Sequence, residues 1–134
     1  MLFRSRLIGK KEYEDLAIDT MDSCGGLVEK NPAGFTQLLQ GFSFIQEHPK
    51  EIILAGDLEN GELNGFLDIF KQNYFPDVTI MIKNSDNAER LASLAPYTKD
   101  MLRINNSPSA YVCIGSRCQN PVSRPEDLLI LLNS

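Results

Sequence analysis

The sequence predicts an α/β fold: a helical hairpin followed by a small α/β layered module with a mostly parallel sheet. Three observations lead there. Residues 12–47 place apolar side chains at spacings of one, three and four, the stripe of amphipathic helices. From residue 50 onward, short continuous apolar runs alternate with helix-periodic stretches, the order of a layered α/β chain. The 134 residues suffice for one core, since domains commonly hold roughly 100–150 residues.

In the first helix the stripe is Tyr13, Leu16, Ala17, Met21, Cys24 and Leu27. Gly25 and Gly26 weaken its last turns without ending it. Asn31-Pro32 has the form of an N-cap followed by proline at the first helical position, and Phe35, Leu38, Leu39, Phe42 and Ile45 trace a second apolar face. Periodicity changes at His48-Pro49, which divides the chain into a hairpin region, 1–48, and an α/β module, 49–134. "EIILAGD" is a continuous apolar run ending in Gly and Asp, the form of a buried parallel strand at its carboxyl end. A helix over about 63–74 follows, carrying Phe66, Leu67, Ile69 and Phe70. "DVTIMIKN" reads as a second buried strand, and 86–94 as a helix that Asp86 can cap. "AYVCI" is a third strand. Ser123 and Pro125 open a terminal helix whose Leu128, Leu131 and Leu132 face the sheet.

Composition narrows the function classes. With 43% hydrophobic and 23% charged residues, no tryptophan and no apolar run near the roughly 18 residues of a membrane helix, the chain reads as globular. A net charge of −5 and scattered basic residues argue against a nucleic-acid partner, and the membrane is likewise not expected as a partner. The one basic cluster, Arg4, Arg6, Lys10 and Lys11, is followed by too short an apolar stretch for a signal peptide. Three cysteines, an odd number, fit a reducing compartment, so a cytoplasmic location is expected.

Read in order, "GLVEKNPAGFTQLLQGFSF", "KEIILAGD", "SAYVCIGSRCQNPV" and "RPEDLLILL" resemble the C-terminal end of the thioredoxin-domain-containing, spermatogenesis-associated protein family. The most specific parts are Pro32-x-x-Phe35, "IILAGD" and Tyr-Val-Cys-x4-Cys-x-x-Pro. The resemblance implies a longer protein with an N-terminal thioredoxin-like domain, an (α/α)6 toroid similar to N-acylglucosamine 2-epimerases and six-hairpin glycosidases, and a C-terminal α/β piece. On that footing residues 1–48 are a remnant of the toroid and the chain is a fragment or a naturally split C-terminal part. The chain carries no thioredoxin-like Cys-x-x-Cys, so the resemblance assigns no catalytic residue, cofactor or metal ligand here. The expected partners are the toroid and thioredoxin-like domains or further copies of the chain, because apolar faces at Leu16, Met21, Leu38 and Phe42 need cover.

Two places remain where chemistry is conceivable. Cys113 and Cys118 flank "IGSR" and should face each other across a short hairpin near a sheet edge, with Gly115 supplying the reversal and Pro121 limiting further pairing. A reduced pair acting as two small hydrophobes is the expected state; a reversible redox pair is the alternative. Zinc is disfavoured, since Cys24 and His48 are the only further ligands and lie in the helical part. Gly56 and Asp57 sit where open α/β sheets bind ligands, outside the carboxyl ends of the strands. Gly56, Gly61 and Gly65 match no phosphate-loop pattern, and a strand-end glycine with Asp57 as a helix N-cap accounts for the same turn. His48 reads as a linker residue, and Glu12, Glu14, Asp15, Glu59 and Glu62 as solvated helix faces. The leading expectation is a non-catalytic structural or interaction module; the alternative is a small redox-sensitive or ligand-binding α/β protein using Cys113, Cys118 and the Gly56-Asp57 turn.

Overall fold

The computed structural model describes residues 11–46, 49–59, 61–115 and 117–134. His48 and the basic residues Arg4, Arg6 and Lys10 lie outside them. Helix α1 (Lys11–Lys30) and α2 (Thr36–Gln46) are joined by a 3-10 turn, Pro32–Phe35. Asn31 precedes that turn as expected, with its main chain doing the work: its N–H donates to the Leu27 carbonyl and its own carbonyl accepts from Gly34.

Strand β1 (Lys50–Ala55) is followed by α3 (Asn64–Gln72), β2 (Val78–Lys83) and α4 (Ala88–Leu94). A second 3-10 turn, Pro96–Thr98, leads to β3 (Ser109–Ile114), β4 (Arg117–Cys118) and α5 (Pro125–Leu132). The sheet order is β2-β1-β3-β4. β1 pairs in parallel with β2, Ile52 opposite Ile80, and antiparallel with β3, Ile53 opposite Tyr111.

The sheet is therefore mixed, and the expectation of a mostly parallel sheet holds only for β1 and β2; β3 and β4 are antiparallel additions. After α4 and the 3-10 turn the chain does not begin its next strand at the amino ends of β1 and β2. It re-enters the sheet at the carboxyl end, where Ser109 pairs with Ala55.

β1 lies inside the sheet with both faces covered, which explains its unbroken apolar run: Ile52, Ile53 and Leu54 are wholly buried. Ile52, Leu54, Ala110 and Val112 pack against Leu63 and Phe66, Ile69 of α3, and Leu128 and Leu132 of α5. On the other face Ile53, Met81 and Cys113 meet Met101, with Leu91, Tyr97 and Tyr111 around them.

The hairpin has its own small cluster. Ala17 and Phe44 are buried, with Met21 and Ile45 packed against them. Leu16 and Phe42 stand about half exposed, at 48% and 51%, and Leu27 and Leu39 are exposed as well. Met21 and Leu38, expected on the open face, are partly buried instead. No helix among the described residues is long and apolar enough to cross a membrane.

Candidate functional site

The carboxyl ends of the parallel pair open into a cleft of about 380 Å³, lined by Gly56 and Asp57 after β1, Asn84 and Ser85 after β2, and Arg103 and Asn106 from the loop before β3. The Gly56-Asp57 turn thus lies where the strand pattern places it.

Gly56 is required by close approach: a Cβ there would lie 2.9 Å from Leu63 Cδ2 and 3.2 Å from Pro108 Cβ. Asp57 is not the N-cap expected from sequence, because α3 begins only at Asn64. Its Oδ1 accepts from the Ser85 N–H at 3.5 Å and from the Ser85 hydroxyl at 3.4 Å, and its Oδ2 lies 3.5 Å from Arg103 Nη1. The other end of the guanidinium pairs with Glu62, whose Oε2 also accepts from the Asp57 N–H at 3.5 Å. Glu62 is thereby a clasp residue rather than part of a solvated helix face. The guanidinium ties the loop after β1 to the loop before β3, Asp57 adds the loop after β2 through Ser85, and the charges of the cleft largely offset one another.

The loop after β2 is closed by reciprocal bonds. The Asn84 N–H donates to Asn87 Oδ1, the Asn87 N–H to Asn84 Oδ1, both at 3.0 Å, and Asn87 Nδ2 to the Ile82 carbonyl at 2.9 Å. Asn87, not Asp86, precedes the helix. An asparagine bonding locally in both directions outcompetes the carboxylate beside it. Lys83 closes β2 as a buried side chain, its Nζ donating to the carbonyls of Thr98 at 2.6 Å and Lys99 at 2.9 Å. Burial pushes its ammonium pKa down, and Asp100 partly offsets that. Asn105 and Asn106 hold φ of 50° and 59° in the turn bridged by Ile104 and Ser107, a left-handed geometry that asparagine tolerates.

The second place is the hairpin β3–β4. Cys113 and Cys118 oppose each other as expected, and Ile114 opposite Arg117 leaves a two-residue reversal with Gly115 at φ +60°. The Gln119 N–H donates to the Val112 carbonyl at 2.8 Å, so the intervening cysteine pair is a non-hydrogen-bonded one, the closer of the two antiparallel spacings. Their Cα atoms are 3.9 Å apart and the sulfurs are joined as a disulfide. The expected reduced pair is corrected accordingly: a two-residue turn brings these positions nearer than the four-residue loop read from "IGSR". The two sulfurs differ in setting. Cys113 is buried with Met81 and Met101, whereas Cys118 on the edge strand is exposed. Glu51, buried, sits opposite Cys113 across the β1–β3 ladder. Burial first, and the Glu51 carboxylate second, push the Tyr97 phenol pKa up. Cys24, the third cysteine, is free.

Arg103, Lys83 and Glu51 escape sequence reasoning. Lys83 merely ends an apolar run, Glu51 sits beside one, and Arg103 stands in an Asn- and Ser-rich loop; only the Asn105-Asn106 pair signals a tight turn there. Among the described residues no group of three or more His, Cys, Asp and Glu side chains is arranged to hold a metal ion.

The chain is similar to spermatogenesis-associated protein 20 of Homo sapiens, 21% identical over 125 residues, and to that of Rattus norvegicus, 20% identical over 127 residues. The Mus musculus protein is 19% identical over 125 residues. These alignments take in 93–95% of this chain but 16% of each relative, so the chain spans only a small part of the proteins it matches. No family model matches, and no solved structure does. The resemblance read from the sequence is matched by this distant homology along nearly the whole chain.

Proposed function

We propose that this chain is a non-catalytic, C-terminal structural and interaction module of a longer, thioredoxin-domain-containing, epimerase-like protein, and that its helical hairpin is the docking element. One observation carries the reading: among the described residues of the hairpin only Ala17 and Phe44 are buried, while Leu16, Leu27, Leu39 and Phe42 are left open. An apolar surface of that kind is ordinarily covered. The occupant proposed is further helical hairpins of the longer protein, in keeping with relatives of which this chain matches 16%. The division at 48–49, the toroid origin of the hairpin and a cytoplasmic location belong to the same proposal.

The cleft supports a structural role as well, because its charged groups clasp loops: Arg103 to Asp57 and Glu62, Lys83 to the carbonyls of Thr98 and Lys99.

Without its covering hairpins the chain is expected to self-associate through the same face. Sedimentation across a concentration series should show a dimer or larger species, and Leu16→Glu with Phe42→Glu should return it to monomer with helix content intact. A wild-type monomer at every concentration contradicts the proposal.

The cleft itself favours a second reading, the binding of a small polar molecule at the Gly56-Asp57 turn beside Arg103. Titrating small carboxylates and polyols should then shift the amide resonances of Gly56, Asp57 and Ser85; resonances unmoved at millimolar concentration remove this reading.

A further inference from the structure

The asymmetry of the two sulfurs goes beyond a packing role and is independent of the docking proposal. The Cys113–Cys118 bond joins residues already opposed by a two-residue turn and a flanking backbone bond from Gln119 to Val112, so the hairpin is held whether or not the sulfurs are joined. It pins only β4, two exposed residues at the sheet edge. Cys118 is an exposed residue at that edge while Cys113 is enclosed, at 1% exposure. Exchange proceeds by attack of a thiolate on an accessible disulfide sulfur, and of the two cysteines only Cys118 is an exposed residue.

We propose that Cys113–Cys118 is a thiol–disulfide exchange site that takes a dithiol as its reductant and is attacked at Cys118. One thiolate of the dithiol bonds to Cys118 Sγ, the bond between the cysteines breaks, and its electron pair leaves on Cys113 Sγ, which takes a proton from solvent. The second thiol of the reductant, deprotonated, then attacks its own sulfur in the mixed disulfide. Cys118 is released and protonated, and the reductant departs as a cyclic disulfide. Two electrons pass to the protein and two thiols of the reductant are oxidised.

The class of reductant follows from the geometry. In a mixed disulfide on Cys118, Cys113 remains directly opposite, at a high effective concentration, and expels a monothiol to re-form the bond. A dithiol competes because its resolving thiol is intramolecular too. Cys118 on a short edge strand leaves room for that second attack.

Two measurements test this. Native protein is treated with dithiothreitol and sampled by alkylation and mass spectrometry. The reduction rate should rise in proportion to dithiothreitol and exceed the opening rate of β1 measured by hydrogen exchange. A rate that is independent of dithiothreitol and equal to that opening rate overturns the proposal, since the bond would then be reached only by unfolding. Glutathione at equal thiol concentration should leave most of the bond intact; complete reduction by it contradicts the dithiol class. The polarity is read from Cys113→Ser and Cys118→Ser exposed to glutathione disulfide, with Cys118 expected to form the adduct on the order of tenfold faster than Cys113. Equal rates, or faster reaction at Cys113, contradict it. Should either variant fail to fold, the dithiothreitol dependence of the native protein still decides.

Discussion

The sheet module and the helical hairpin solve the burial problem to different degrees. β1 is enclosed on both faces and the module packs helices on each side of the sheet, so its central apolar residues find partners within 49–134, while Leu58, Leu94, Leu102 and Ile130 stay exposed at its periphery. The hairpin has α1, twenty residues long, and α2, eleven, yet two residues below a tenth exposure. A helix pair of that length gains most of its stability from tertiary packing, not from propensity. The module carries two clusters of buried residues, the hairpin one small one, and on the proposed reading the hairpin depends on what covers it.

That contrast can be broken by substitution. Phe66→Ala should have the largest effect, since Phe66 is wholly enclosed between α3 and the sheet: a loss of about 3–5 kcal/mol, read by denaturant unfolding. Gly56→Ala should follow, at about 1–3 kcal/mol, because the added Cβ meets Leu63 and Pro108. Phe44→Ala should act differently in kind. It should melt the hairpin while the amides of β1 keep their exchange protection; loss of both together would show that the two regions form one cooperative unit.

Smaller changes sharpen the comparison. Gly25→Ala and Gly26→Ala meet no atom within 4 Å and should each strengthen α1 by about 1 kcal/mol, seen as a higher melting temperature of the helical signal alone. The smallest effect concerns pH. The Tyr97 phenol titrates higher in the folded state than its ordinary 10.0, so the folded state holds the proton longer. Its contribution is full below pH 10 and is lost as pH rises through the folded value. Tyr97→Phe should flatten that alkaline decline in a pH series of unfolding curves.

Much of the fold was readable because burial writes itself into the chain. Continuous apolar runs marked β1 and β2, and Pro32 and Pro125 marked helix starts, but β2, expected as a second buried strand, lies at the sheet edge with only Met81 and Lys83 buried and Ile80 exposed. The sheet's mixed direction was not readable, since it depends on the end of the sheet at which the chain re-enters, Ser109 beside Ala55. Nor was the clasp at Asp57 legible: its partners Ser85 and Arg103 come from two other loops, and a carboxylate after a strand looks the same whether it caps a helix or pairs with a distant guanidinium. At Cys113 and Cys118 the spacing disclosed the facing pair, but the bond required the two-residue turn, set by pairing of Ile114 with Arg117.

The dependence of the hairpin on cover is tested most directly by hydrogen exchange of the whole chain over a concentration series. The account predicts that amides in residues 11–46 gain protection as concentration rises while those of β1 and β3 stay constant. Protection that is equally high in both regions and independent of concentration would contradict it.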